Sequence, residues 1–220
     1  MPRSARLVVP GLPHHVTQRG NRREATFFSP RDYRLYKRML AEECEEAAVA
    51  VWAWCLMPNH VHLVLVPACP EGLARAAGRV HHRYTVAINK REGWTGHLWQ
   101  ARFASFVMDE RHLLACARYV ELNPVRARLV LRPEDWGWSS ARAHLDGASD
   151  GLADPAPLLE RWPDWRSVLD SGLDEATCSA IRARERSGHP LGSGRFVETL
   201  CERAGRPLAP RRPGRPPRRT

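Results

Sequence analysis

Alternating and helical runs of apolar residues succeed one another along the chain. His14 to Arg19 (HHVTQR) alternates and is followed by the turn signal Gly20-Asn21, so it reads as a strand. Tyr36, Met39, Leu40, Cys44 and Ala47 then recur at helical spacing through residues 31–48. That helix has a defined start: Ser29 suits the N-cap, Pro30 the first helical position, and Asp32 completes a capping box. Val49 to Met57 is rich in β-formers, with Trp52 and Trp54 expected on one face. Pro58-Asn59 is a turn, and His60 to Val66 is the second strand of a hairpin. Leu73, Ala77, Val80, Tyr84 and Ala87/Ile88 form the stripe of an amphipathic helix over 72–91, broken by Gly93 to Gly96. Leu98 to Val107 reads as one or two strands around Gln100-Ala101. A further helix begins at Glu110, capped by Asp109, and runs through Leu113, Ala117 and Val120. The order β-α-β-β-α-β, then α, predicts an α+β fold: a ferredoxin-like antiparallel sheet with helices on one face.

After about residue 130 the texture changes. Trp136, Trp138, Trp162 and Trp165 cluster among Pro and Asp, Asp174 to Arg186 is helical and polar, and Arg195 to Ala204 is a short helix. The expected organisation is a first domain over 1–130, a helical extension over 131–205 packed on it by its tryptophans, and an Arg/Pro-rich tail over 206–220. The tail has too little apolar surface to order alone. The tryptophans are assigned to packing rather than base stacking.

Composition narrows the function classes. The longest apolar stretch, Ala47 to Met57, has 11 residues, well short of the ~18 a helical membrane span needs. With prolines at 2, 10 and 13 no signal peptide is expected, which places the chain in the cytoplasm. The cysteines at 44, 55, 69, 116, 178 and 201 include no C-x-x-C pair and are expected to be free thiols. Charge is the strongest compositional fact: 34 Lys plus Arg against 24 Asp plus Glu give +10, and the only lysines are Lys37 and Lys90. Residues 203–220 hold seven Arg and no acid, and residues 1–40 hold nine cations against Glu24 and Asp32. Guanidinium grips phosphate with two parallel bonds, so a nucleic acid is the expected partner.

Two constellations carry candidate chemistry. In MPNHVHLVLV, His60 and His62 lie on one strand face about 7 Å apart at the backbone, where their imidazoles can share a divalent cation. The alternative is a pair of histidines merely hydrogen-bonded beside a core. In ACARYVELNPVRARLV, Tyr119 and Asn123 are i and i+4, and Pro124 ends or kinks the helix beside them. Arg118, Arg126 and Arg128 surround this pair; a cation there favours the phenolate and with it a nucleophilic role, against a tyrosine packed in the core. Arg19, Arg22 and Arg23 in QRGNRR are candidate phosphate contacts, as are Arg102 and Arg126. Arg215, in Pro213-Gly214-Arg215-Pro216, sits in a sequence like an AT-hook core with Pro213 where that motif prefers Arg. His14-His15 and His81-His82 are expected at the surface or its boundary.

The stretches PGLPHHVTQRGNRR, MPNHVHLVLV, LWQARFASFVMDE, RYVELNPVRARLV and WGWSSARAHL, in this order, resemble the single-tyrosine HUH transposases, most closely the REP-associated tyrosine transposases. The resemblance covers residues 3–145, and LGSGRFVETL with the tail also looks like that branch. It implies that His60 and His62 bind the metal, Mg²⁺ or Mn²⁺, that Tyr119 is the nucleophile and that Asn123 supplies a third ligand where relatives often carry Gln. It further implies cleavage of single-stranded DNA beside an imperfect hairpin through a 5′-phosphotyrosine. Insertion-sequence relatives act as homodimers with the tyrosine in trans; the extension here leaves a monomer acting in cis equally open. Rival readings are a DNA-binding regulator that no longer catalyses, and a metal-binding structural protein, which leaves the Arg distribution unexplained.

Overall fold

The computed structural model describes residues 6–208. Four strands, β1 (His14–Arg19), β2 (Val49–Met57), β3 (His60–Pro67) and β4 (Ala104–Val107), form one antiparallel sheet in the order β2-β3-β1-β4. Between them run α1 (Pro30–Glu46) and α2 (Gly72–Glu92), and after them α3 (Glu110–Glu121) and the single turn α4 (Asn123–Arg126). The expected start of α1 is present: Ser29 and Asp32 form the capping box with Pro30 in the first turn. The Asp109 carboxylate accepts from the His112 amide and caps α3. Of the stretch from Leu98 to Val107, only 104–107 is a strand; Trp99 makes a single bridge to Gly20.

The sheet is covered on both faces, which corrects the expectation of helices on one. Val16, Val61, Leu63 and Leu65 pack under α1 and α2, with Tyr36, Leu40, Val80 and Tyr84 in the same cluster. The opposite side, with Ala53, Cys55, Val64 and Phe106, is covered by Leu113, Cys116, Ala117 and Val120 of α3. A register shift between Val51 and Ala53 inserts Trp52 as an extra residue in β2. One inserted residue flips the faces of the residues after it, so Trp54 enters the first cluster while Trp52 packs against the second. The two tryptophans therefore do not share a face.

Beyond α4 the chain forms α5 (Ala141–Asp146), α6 (Ala156–Leu159), α7 (Trp165–Asp170), α8 (Glu175–Ser187) and α9 (Gly194–Ala204). Leu158, Trp165, Leu169, Cys178 and Ile181 join the second cluster, so the extension shares its core with α3 and the sheet. The segment before α5 also shields the open edge of β2: Leu56 N donates to Trp138 O at 2.8 Å and Ser140 N to Trp54 O at 2.9 Å. Leu208, three residues into the expected tail, is buried with Val9, Val107 and Leu200. Residues 209–220, including Arg215, lie outside the described residues. The six cysteines are free, and among the described residues no helix is long and apolar enough to cross a membrane.

One buried carboxylate anchors α3 to the extension. Glu121, fully buried, accepts from Ser140 Oγ at 2.5 Å, His144 Nδ1 at 2.6 Å and Trp165 Nε1 at 2.8 Å. Burial works against charge on His144, but the Glu121 carboxylate outweighs it and raises the imidazole above its ordinary 6.5. At the sheet's other end, the turn after β1 is seated by Gly20, whose amide donates to Asn59 O at 2.8 Å. A Cβ on Gly20 would stand 2.3 Å from Glu24 O and 2.8 Å from Thr26 Cγ2, so only glycine fits.

Three stability measurements test these contacts. Gly20→Ala must displace backbone, and its urea midpoint is expected to fall by the equivalent of about 2 kcal/mol or more. Glu121→Ala is expected to lose about 3–5 kcal/mol, because its removal strands buried partners. A raised folded pKa means that the His144 contribution is complete below 6.5 and fades as pH rises through the folded value. Urea melts of wild type against His144→Gln should therefore differ most near pH 6 and least near pH 9.

Candidate active site

Alternation along β3 sends Val61, Leu63 and Leu65 into the first cluster and turns His60 and His62 to the α3 side. Their rings lie 4.9 Å apart at 83°. The turn before them sets the first ring: Asn59 Oδ1 accepts from His60 Nδ1 at 2.6 Å, while Asn59 Nδ2 donates to Arg23 O at 2.7 Å. An imidazole held by Nδ1–H has its lone pair on Nε2, the state a metal ligand needs. Burial, then Arg19 and Arg126, push His60 down to about 3. His62 lies well below its ordinary value for the same leading reason, with His60 and His15 adding to it. Both rings are neutral at physiological pH.

Tyr119 on α3 meets this pair. Its ring stands 5.5 Å from that of His62 at 83°, and the Arg126 guanidinium lies 4.0 Å from its centroid. The Arg126 and Arg182 guanidinium groups both act on the phenol and favour its anion. Burial and the Glu185 carboxylate nevertheless raise its pKa, outweighing the arginines. The activated phenol expected from the flanking arginines is therefore not the resting condition of the protein. As expected from Pro124, α3 stops before Asn123, which opens α4. Asn123 is buried, and its Nδ2 has no partner among the described residues. That unpartnered atom is an N–H donor, which cannot ligate a cation; an amide ligates through its oxygen, so the two neutral imidazoles beside the phenol are the donors that fit a divalent cation.

The site contains two groups that the sequence did not identify. His15, expected at the boundary, is fully buried; its Nε2 and His62 Nδ1 share a hydrogen bond at 3.0 Å, with the rings stacked at 5.2 Å. Burial pushes His15 down to about 3. Pairing β1 beside β3 in the ferredoxin-like order was the available signal, since it sets His15 diagonally from His62. Glu185 on α8 is the other: its Oε1 lies 3.6 Å from His62 Nδ1 and 3.8 Å from His15 Nδ1. Burial pushes this carboxyl up to about 7, partly offset by Arg19, Arg126, Arg182 and Arg186. No local pattern in the sequence announces it. Two further boundary assignments need correction: His14 is buried with Nδ1 on Leu12 O at 2.8 Å, and His81 is buried on the Tyr36 hydroxyl at 2.9 Å. His82 is exposed.

The expected phosphate contacts divide. Arg19, paired across from His60, and Arg126 lie at the cluster. Arg22 and Arg23 are exposed in the turn below Asn59, both in left-handed backbone at φ 53° and 63°. Arg102 is exposed elsewhere, on a groove of about 500 Å³ between α2 and residues 97–103.

Known proteins were compared with this arrangement. The family model for IS200-like transposases matches residues 8–123, more than half of the chain. Among solved structures, a REP-associated tyrosine transposase bound to a REP hairpin is similar over 69% of this chain and 90% of its own, at 19% identity and a TM-score of 0.58. A Deinococcus radiodurans R1 protein assigned as a transposase is similar over 55% of this chain and 96% of its own, at 22% identity and a TM-score of 0.38. No curated protein matches the chain. The first of these structures shares the α+β fold described above. The matched segment runs through the whole sheet and α1 to α3 and ends on Asn123, and on that match the chain belongs to the IS200-like transposase family.

Proposed function

We propose that this transposase is a metal-dependent tyrosine endonuclease and strand transferase acting on single-stranded, hairpin-forming DNA of the REP type. The observation that carries the reading is the meeting, in one chain, of the neutral His60–His62 pair with the Tyr119 phenol, 5.5 Å from ring to ring under Arg126. Hairpin DNA in the similar structure supports the choice of substrate.

In this reading Tyr119 Oη bonds to the scissile phosphorus while the bond to the 3′ oxygen breaks. The phenol gives up its proton to solvent and the departing 3′ oxygen takes one up. The resulting 5′-phosphotyrosine keeps one phosphodiester bond for one broken, so attack by a free 3′-OH rejoins a strand without a nucleotide cofactor. His60, His62 and Asn123 would hold Mg²⁺ or Mn²⁺, which when bound polarises a non-bridging phosphate oxygen. Arg126 and Arg182, which favour the phenolate, stabilise that anion once the proton has left. Arg19, Arg22, Arg23 and Arg102 contact phosphates along the strand, and Arg215 adds contacts from the tail. Tyr119 serves its own chain's histidines, in keeping with residues 131–205 packed on a catalytic domain of 1–130, a tail over 206–220, and work at the nucleoid.

Tyr119→Phe is expected to abolish the SDS-resistant adduct formed in Mn²⁺ on labelled hairpin DNA from the gene's own flanks, while the native-gel shift persists. Adduct formation by the variant overturns the nucleophile assignment. A wild type that shifts the DNA yet forms neither adduct nor cleavage product identifies a binding regulator instead. Ala in place of His60 or His62 should cut cleavage by about a hundredfold or more without loss of the shift.

A further inference from the structure

We infer that His15, His62 and Glu185 form a divalent-cation site, of the Mn²⁺ or Zn²⁺ class, which α8 completes on the sheet. The inference deepens the proposed reading, resting on it only in treating His62 as a residue of the metal centre. Three features converge on it. The donors come from β1, β3 and α8 and lie within 4.8 Å of one another. Ligands about 2.0–2.2 Å from one ion, at tetrahedral or right angles, stand roughly 3.0–3.5 Å apart; His62 Nδ1 lies 3.0 Å from His15 Nε2 and 3.6 Å from Glu185 Oε1, and Glu185 Oε1 lies 3.8 Å from His15 Nδ1, so the three groups close on an ion by moving a few tenths of an ångström.

The second feature is unmet valence. His15 Nδ1 and Glu185 Oε1 are sealed from solvent and have no hydrogen-bond partner among the described residues. His15 is 1% exposed, so its orphaned nitrogen is a buried polar group with an uncompensated desolvation cost. The third feature is charge. The Glu185 carboxyl faces these two imidazoles at 3.6 and 3.8 Å, and in its ionised form it calls for a positive charge there. A dication supplies that charge and coordinates a nitrogen of each ring in one step. Two nitrogens with a single carboxylate suit borderline ions over Mg²⁺.

A neutral imidazole offers one lone-pair nitrogen, so a site that uses Nδ1 of His62 leaves Nε2 as an N–H donor on the His60 side, and His62 serves one of the two ion positions at a time. It differs from the His60–His62–Asn123 set in carrying a formal negative charge, so it holds an ion without help from a DNA phosphate. Bound there, the ion ties α8, which carries Arg182, to β1 and β3.

Titration calorimetry with MnCl₂ and ZnCl₂ on the full-length, DNA-free protein tests this. Wild type should bind one of the two ions and melt at a higher temperature with it. Glu185→Gln, close in shape, and His15→Gln should each weaken binding by about tenfold or more and lose the thermal shift. His60→Ala should retain both. Circular dichroism melts without metal establish that each variant is folded, and Glu185→Gln is expected to melt no lower than wild type, having lost a buried charge. Unchanged affinity in Glu185→Gln, loss of binding in His60→Ala, or no binding by wild type each overturns the site. None of these results bears on the Tyr119 adduct, so the failure of this site and the failure of the nuclease reading are separable.

Discussion

The Glu121 carboxylate pins the last turn of α3 to the extension, and the last turn also carries the candidate nucleophile. An ionised carboxylate in the interior loses several kcal/mol of hydration, which only well-placed donors offset. Here three donors converge, from Ser140, His144 and Trp165, and all of them lie beyond residue 123, where the family match stops. Glu121 is two residues after Tyr119 and two before Asn123. The two side chains assigned to the chemistry therefore flank a residue held by the extension. WGWSSARAHL, a motif with no evident chemistry of its own, acquires a physical reason. Ser140 and His144, i and i+4, present a hydroxyl and an imidazole to one carboxylate while the preceding residues pair with the edge of β2.

A sheet covered on both faces divides the labour. One side is a nearly dry cluster of aromatics and aliphatics under α1 and α2. On the other, His15, His60 and His62 interrupt the apolar surface, and α3 and α8 close over them. Polar groups in such a place are tolerated only when their hydrogen bonds are met. Asn59 meets this need for His60, and His15 for His62. Arg23 reaches the same network through its carbonyl on Asn59, so the QRGNRR turn supports the metal candidate as well as presenting guanidinium groups to solvent. Gly20 is what allows the turn to lie that close.

Much of this was legible in the sequence because local rules and tertiary packing agree there. The capping box at Ser29, the Asp109 cap, the break before Pro124 and the strand alternation that pairs His60 with His62 are short-range effects, and each stands where expected. What the sequence did not show depends on distant parts of the chain. The bulge at Trp52 leaves no mark in a run of β-formers, yet it reverses which tryptophan faces α1. His15 looked like half of an ordinary histidine pair until β1 lay beside β3. Glu185 is 66 residues beyond Tyr119 on a polar helix; its importance comes from α8 docking, which no spacing rule reveals.

Electrostatics gives the cluster its character. Arg19, Arg126, Arg182 and Arg186 all act on Glu185, and Arg19 and Arg126 also depress the histidines. The surroundings are positive while the innermost groups are neutral imidazoles and a phenol. Such a field attracts phosphate, and it adds to burial, the leading cause, in keeping the histidines free of protons and open to coordination. The phenol, by contrast, stays protonated because burial and Glu185 outweigh its two arginines. Cation occupancy at Glu185 would change that balance. A carboxylate whose charge is neutralised by coordination no longer opposes the phenolate, and the full effect of Arg126 and Arg182 then falls on Tyr119. The extension thus does more than cover the sheet: after burial, its Glu185 on α8 is the main group that opposes ionisation of Tyr119.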